Sequence, residues 1–347
     1  MRRLPIFFLL DVSESMIGAP LTFLEEGMAR IVASLRRDPS ALETVHISVI
    51  AFAGKASVIS PLIDVVSFYP PRLPIGGGTS LGSALNVLMH EIDTKIVKQT
   101  STVQGDWKPI IFLITDGQPT DNPNNVIAKW NKEYASKATV VAITLGDGVD
   151  TSVLKKLTPN VLVYEGNTDE EFKKFVDWIS NSVKTQSQKA DAGKGREGID
   201  LSKMGDKLSL AETDLVFSSD PNTVVLTGRC KTKKQPYLIK YSRMNTLKSL
   251  EKYTKEVQYN LEGCFPITED YFNWSVTNNS VDKIDASSLI GVPGCPHCGN
   301  RVAFAVCGFC DKIMCIDGPE KAICPWCDNK NNFVPGDGNF DVQRGQG

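Results

Sequence analysis

The chain is poor in histidine, in net charge and in long apolar runs. Among 347 residues the histidines are His46, His90 and His297. That leaves little material for a catalytic zinc, which keeps an open position and at least one His or carboxylate ligand. His46 and His90 fall in a strand and a helix pattern and read as ordinary structural residues. The net charge is −2, so no global field selects nucleic acid or a membrane surface. No apolar stretch approaches the ~20 residues that cross a bilayer. Arg2-Arg3 followed by Ile6 to Leu10 imitates the start of a signal peptide, but the run is short and no small-residue cleavage site follows. A cytoplasmic protein is the expectation. Neither an internal repeat nor a low-complexity tract is present. What remains is 41% hydrophobic, enough to fill two cores.

The first ~185 residues alternate strand and helix in the manner of an open, mainly parallel sheet flanked by helices. Strands are predicted at Pro5 to Leu10, His46 to Phe52, Ala56 to Ile59, Ile110 to Thr115, Thr139 to Leu145 and Val161 to Tyr164. Several are continuous apolar runs, as strands covered on both faces should be. Leu21, Leu24, Met28, Ile31, Val32 and Leu35 share one helix face. Leu81, Leu85, Leu88 and Ile92 share another. A last helix begins at Thr168 with Glu171 three residues on, a capping box, and its apolar stripe is Phe172, Phe175, Val176, Ile179 and Val183. From Lys184 to Lys207 the chain is polar and carries Gly193 and Gly195, which reads as a linker. Beyond Leu208 short strand-like runs at Val224 to Thr227 and Tyr237 to Tyr241 lead into a cysteine-rich tail. The domains expected are therefore 1–186, a linker over 187–207, and a β-rich, zinc-binding region over 208–347.

Three segments carry oxygen ligands to the carboxyl side of strands. Asp11-Val12-Ser13-Glu14-Ser15 places a carboxylate and two hydroxyls at alternate positions after the first strand. Gly76-Gly77-Gly78-Thr79-Ser80 offers a hydroxyl on a glycine-rich loop, and Asp116 follows the strand that ends at Thr115. Hard oxygen donors with little charge between them suit Mg²⁺, and open α/β sheets bind ligands at this edge. The glycine loop has no following Lys-Ser or Lys-Thr, so a P-loop is excluded. An aspartyl-phosphate mechanism of the haloacid-dehalogenase kind wants a second acid two residues after the first; Ser13 stands there.

Nine cysteines occur, seven of them between Cys295 and Cys327, and paired CxxC spacing points to metal in a reducing compartment. Cys295-Pro296-His297-Cys298 and Cys324-Pro325-Trp326-Cys327 read as two knuckles of one tetrahedral zinc site. Cys307, Cys310 and Cys315 lie between them, one ligand short of a second site. His297, Cys264 and Cys230 are the available completions, His297 being nearest in sequence. A cross-brace, with Cys307 and Cys310 sharing an ion with Cys324 and Cys327, is the competing topology. Either arrangement is structural, because a small turn-rich region gains folding free energy from metal.

The first three segments resemble the metal-ion-dependent adhesion site of a von Willebrand factor A domain. That resemblance implies a Rossmann-like A-domain fold. It also implies that Ser13, Ser15 and Thr79 bind the metal directly, and that Asp11 and Asp116 bind it directly or through water. One coordination position stays open for a partner's carboxylate. With Gly77-Gly78-Thr79-Ser80-Leu81-Gly82, Thr115-Asp116-Gly117-Gln118-Pro119-Thr120-Asp121, the stretch from Asn273-Trp274-Ser275 to Gly299 and the terminal cysteine pairs, nearly the whole chain is similar to the TerY family of bacterial tellurite-resistance proteins. The resemblance implies eight metal ligands in the tail. It also implies a non-enzymatic adaptor in a stress or defence gene cluster, whose partners are a Ser/Thr kinase and a PP2C-type phosphatase.

Two other functions compete. Arg229, Lys231, Lys233, Lys234, Lys240 and Arg243, with Tyr237 and Tyr241 among them, would suit a single-stranded nucleic acid; the alternative is a solvated face of a β element. Hydrolysis of a phosphate ester at a Mg²⁺ centre is the other, although no His or Lys lies near the motif as a proton carrier.

Overall fold

Continuous apolar runs become central strands. In the computed structural model the described residues are 2–116, 119–145, 151–164, 169–191, 208–210, 222–244, 257–275, 283–333 and 340–345. Two units emerge from the packing. One comprises Met1–Val12, Gly18–Leu73 and Thr79–Val216; the other comprises Ser13–Ile17, Pro74–Gly78 and Phe217–Gly347.

The first unit runs β1 (Leu4–Asp11), α1 (Ala19–Leu35), α2 (Pro39–Thr44), β2 (Val45–Phe52), β3 (Ala56–Asp64), α3 (Leu81–Lys95), β4 (Ile110–Thr115), α4 (Asn124–Glu133), β5 (Thr139–Leu145), α5 (Ser152–Leu157), β6 (Val161–Tyr164), α6 (Asp169–Asp191) and β7 (Leu208–Leu210). Its seven-stranded sheet has the order β3-β2-β1-β4-β5-β6-β7. The five strands from β2 to β6 are parallel, and β3 and β7 pair antiparallel at the edges. Every residue of β1 and β4 is buried. Side chains alternate across the sheet, so Phe7 and Leu9 pack with Leu81, Leu85, Leu88 and Trp130 of α3 and α4. Phe8 and Leu10 face the other way, toward Leu24, Met28 and Ile31 of α1 and Phe175 and Ile179 of α6.

Three element boundaries differ from expectation. Strand β3 continues past Ile59 to Asp64; it pairs only with β2, so Pro61 stands on an edge strand where a missing N–H is tolerated. Helix α6 runs on through the expected linker start at Lys184 to Asp191. Its extension is tied down by Lys184 Nζ donating to Ser34 Oγ (2.9 Å) and by a 2.5 Å bond between the hydroxyls of Thr44 and Ser187. Leu208–Leu210 pairs with β6 and so belongs to this sheet, not to the β-rich region expected over 208–347. The rest of the expected linker, with Gly193 and Gly195, lies outside the described residues, as does Thr168 of the capping box.

The second unit contains β8 (Thr223–Arg229), β9 (Pro236–Arg243), β10 (Tyr259–Pro266), α7 (Asp270–Trp274), β11 (Lys283–Asp285), β12 (Leu289–Ile290), β13 (Val302–Val306), β14 (Ile313–Ile316), β15 (Glu320–Ile323), β16 (Lys330–Phe333) and β17 (Asp341–Gln343). A six-stranded sheet has the order β12-β10-β9-β8-β14-β13, and β11-β17 and β15-β16 form two-stranded ribbons. Val224, Leu226, Tyr237, Ile239 and Tyr241 share a core with Cys230, Cys295 and Cys315.

This packing takes the two tyrosines of the basic stretch into the core. Tyr237 and Tyr241 are fully buried, and their hydroxyls donate to Ala303 O (2.7 Å) and Gly291 O (3.0 Å). Arg229 pairs with Glu269 at 2.5 Å, Lys231 with Glu320 at 2.7 Å and Lys240 with Glu262 at 3.1 Å. The two tyrosines fill the core, and three of the six cations are paired with glutamates. Among the described residues no helix is long and apolar enough to cross a membrane.

Candidate metal centres

Neighbouring parallel strands deliver the carboxylates. The register pairs Leu10 of β1 with Ile114 of β4, so Asp11 and Asp116 leave adjacent carboxyl ends. Asp11 is fully buried, and its Oδ2 accepts a 2.5 Å bond from Thr115 Oγ1. Thr79 is buried just before α3. Its N–H donates to Thr120 Oγ1 (2.8 Å), and its carbonyl accepts from Thr120 N (2.8 Å). Ser80 N donates to Ala53 O (2.6 Å), which anchors the start of α3 beyond the end of β2. Asp121 secures that start: its Oδ2 accepts from Ser80 Oγ (2.7 Å) and from Gly82 N (2.8 Å). Within the first unit, Asp11, Thr79 and Asp116 thus gather at the carboxyl edge of β2, β1 and β4.

Ser13 and Ser15 belong to the short segment Ser13–Ile17 of the second unit. Both are buried, with their hydroxyls 3.0 Å apart. Glu14 between them is buried as well, its carboxylate accepting a bond from the Tyr271 hydroxyl. Burial, with the Glu14 charge beside it, holds the Tyr271 phenol well above its ordinary pKa. In the first unit two carboxylates and a hydroxyl, and in the second a pair of hydroxyls, are hard oxygen donors of the kind Mg²⁺ takes. Gly117 and Gln118 lie outside the described residues.

The thiols form two groups of four. Cys230, Cys295, Cys298 and Cys315 bring their sulfurs within 4.8 Å of one another, and Cys307, Cys310, Cys324 and Cys327 do the same. All nine cysteines are free. Sulfur separations are 3.7 Å for Cys298–Cys315, 3.7 Å for Cys307–Cys327 and 3.8 Å for Cys310–Cys324. Thiolates about 2.3 Å from a zinc ion at the corners of a tetrahedron lie about 3.8 Å apart. A disulfide would close the gap to about 2 Å. The residues therefore fit two structural zinc ions. Burial pushes the Cys295 thiol up to about 11 and the Cys310 thiol up to about 12, so an ion has to displace protons at neutral pH.

One backbone turn is used four times. The cysteine N–H donates to the carbonyl five residues on: Cys230 to Gln235, Cys295 to Asn300, Cys307 to Lys312 and Cys324 to Asn329, at 2.8, 2.8, 3.0 and 2.9 Å. The fifth residue of each turn donates back to the cysteine carbonyl and has positive φ: Lys234 (56°), Gly299 (78°), Asp311 (56°) and Asp328 (58°). Three turns carry a second cysteine at their fourth position. In the first, Lys233 stands there and donates its N–H to Cys230 Sγ at 3.2 Å. The missing sulfur comes from β14. That strand pairs parallel with β8, Ile313 opposite Gly228 and Met314 opposite Arg229, which puts Cys315 level with Cys230.

The cysteine grouping expected from spacing is corrected. Cys295 and Cys298 do not share a site with Cys324 and Cys327. The cross-brace alternative holds for Cys307, Cys310, Cys324 and Cys327, and Cys315 joins the other set. His297 belongs to neither group of four; its Nε2 lies 2.8 Å from Pro236 O. Cys230, which spacing offered only as one of three completions, is the eighth cysteine of the two groups; Cys264 stands outside both.

The sequence model of the von Willebrand factor type A domain matches residues 6–180, and that of the TerY-C metal binding domain matches residues 220–347. Similar solved structures include a von Willebrand factor type A protein from Catenulispora acidiphila (16% identity, TM-score 0.41, 52% of this chain and 42% of that one). Another is proximal thread matrix protein 1 from the mussel byssus, described with a zinc-occupied MIDAS motif (20%, 0.36, 54% and 46%). A third is BatB from Bacteroides thetaiotaomicron (14%, 0.36, 53% and 99%). The chain spans less than half the length of the first two. The chain belongs to the von Willebrand factor type A family and is of the TerY type, an A domain followed by a TerY-C metal-binding domain.

Proposed function

We propose that this protein is a non-enzymatic, metal-dependent adaptor. Asp11, Ser13, Ser15, Thr79 and Asp116 would hold a Mg²⁺ ion that takes an acidic side chain from another polypeptide. Two zinc ions would hold the TerY-C domain folded. The observation that carries the reading is the gathering of Asp11, Thr79 and Asp116 at the carboxyl edge of three adjacent strands, where open α/β sheets bind their ligands. Family membership adds that A domains serve as interaction domains. The partners, on the TerY resemblance, are a Ser/Thr kinase and a PP2C-type phosphatase of the same gene cluster, in a tellurite-resistance or stress phosphorylation system. A cytoplasmic location suits nine free thiols.

The test is capture of the kinase and the phosphatase by wild-type protein, Asp11→Ala and Thr79→Ala, with Mg²⁺ present or dialysed away. Capture that needs both Mg²⁺ and the intact residues supports the reading. Capture indifferent to both refutes it. Turnover of a phosphate ester that disappears in Asp116→Ala would favour hydrolysis at the same centre.

A further inference from the structure

Glu14 stands between the two serines of the oxygen site, in a 3₁₀ turn over Glu14–Met16. Only 1% of it is exposed. The segment that carries it packs as part of the second unit, together with Pro74–Gly78 and Phe217–Gly347. Around its carboxylate three features coincide. The Tyr271 hydroxyl donates to Oε1, and Thr227 Oγ1 lies 3.3 Å from the same hydroxyl. A Cβ on Gly345 would stand 1.9 Å from Oε2, so any side chain there would push the carboxylate out of its place. A Cβ on Gly77 would stand 3.4 Å from Oε1 and 3.3 Å from the Tyr271 hydroxyl, so the glycine loop closes a further side.

The rest of this neighbourhood holds the same two segments. Gly77 N donates to Ser275 Oγ (2.7 Å), and Ser275 Oγ donates to Tyr271 O (2.7 Å). Gly76 forms a bridge with Ser13, and a Cβ on it would meet Trp274 Cβ at 2.5 Å. Lys240 Nζ donates to Ile17 O (3.3 Å). The Tyr271 ring is itself set in a core of Ile17, Val225 and Leu238. The hydroxyl therefore has a fixed origin and the carboxylate a fixed cradle.

We propose that Tyr271 is a positioning residue for the Ser13–Ser15 hydroxyl pair, acting through the Glu14 carboxylate. This rests on the reading of Ser13 and Ser15 as Mg²⁺ ligands. Consecutive residues share one short stretch of backbone, so pinning the Glu14 side chain at its tip restricts the torsions on either side of it. The serine hydroxyls are then held 3.0 Å apart before any ion arrives. Without the phenol hydroxyl the carboxylate loses a donor in a buried place, which is costly. Glu14 then moves toward water and takes the serines with it. Residues that orient metal ligands in this way are worth about 10–100-fold in metal affinity.

Calorimetric titration of the full-length, zinc-loaded protein with Mg²⁺ tests this, with zinc content and melting temperature measured alongside. The variants are Tyr271→Phe, Glu14→Ala and the double variant, with Glu14→Gln in reserve should alanine disturb folding. Expected is Mg²⁺ affinity about 10-fold lower or worse in Tyr271→Phe, with zinc content unchanged. In a Glu14→Ala background the same tyrosine substitution should have an effect of less than about twofold, because the two residues act as one unit. Wild-type affinity in Tyr271→Phe overturns the proposal and leaves the metal reading intact. Additive effects in the double variant, or zinc loss in Tyr271→Phe, overturn it by making Tyr271 a residue of the fold alone. No Mg²⁺ binding by the wild type removes the metal reading and this proposal together.

Discussion

Replacing Cys230 by serine is expected to remove one zinc ion of two and to leave the other in place. Cys230 closes the set with Cys295, Cys298 and Cys315. Its sulfur lies in the core shared by Val224, Tyr237 and Ile239, so no nearby solvent-borne ligand can take its position without opening that core. Structural zinc in small domains contributes roughly 10–16 kcal/mol of apparent binding free energy. Loss of the ion forfeits that contribution, and the three remaining cysteines are left in the core as thiols. The β8–β14 pairing around Gly228 and Ile313 should loosen with it. The assay is zinc stoichiometry by atomic emission on gel-filtered protein, with melting of the second unit followed in parallel. Paired substitutions sharpen it. Cys230→Ser with Cys295→Ser should still cost a single ion, whereas Cys295→Ser with Cys324→Ser should cost both. If that last pair costs only one ion, or if Cys230→Ser retains two while Cys264→Ser loses one, the grouping is wrong.

Other outcomes follow from the same geometry. Zinc loading of the reduced protein at neutral pH should release protons, because burial keeps the Cys295 and Cys310 thiols protonated there; affinity should fall on acidification, measured by calorimetry in two buffers of different ionisation enthalpy. Thr115→Val keeps shape but removes the hydroxyl that donates to Asp11; a loss of about 1.5–3 kcal/mol in denaturant unfolding is expected, as for hydrogen bonds to charged groups. Asp121→Ala strips the acceptor from Ser80 Oγ and Gly82 N and should cost about 0.5–2 kcal/mol, the range for losing a helix cap, with lower helicity by circular dichroism.

Local chemistry made much of the first domain readable. Ile110–Thr115 and Thr139–Leu145 begin and end where their apolar runs do, because a strand covered on both faces admits few polar residues. Edges were harder. Ser60-Pro61 reads as a break, yet a strand paired on one side keeps going. The end of α6 was misplaced because the contacts that extend it, to Ser34 and Thr44, come from remote segments. The surroundings of the basic stretch were likewise set by remote segments. Both faces of β9 are covered, so Tyr237 to Tyr241 are all buried, and the acids that pair with Arg229 and Lys231 are Glu269 and Glu320.

The sequence alone pointed to the A-domain fold through three separated motifs, and to the oxygen donors at the strand ends and the three CxxC turns, which are local features of the chain. Which sulfurs share an ion was decided only in three dimensions, by strand β14 lying parallel to β8 and lifting Cys315 level with Cys230. The burial of Glu14 and Met16, whose side chains sequence could equally have set on a docking surface, was decided there too. The physical reason is common to both. A turn closes on bonds between near neighbours, but ligand sets and cradles assemble from segments that only the packing of the whole unit brings together.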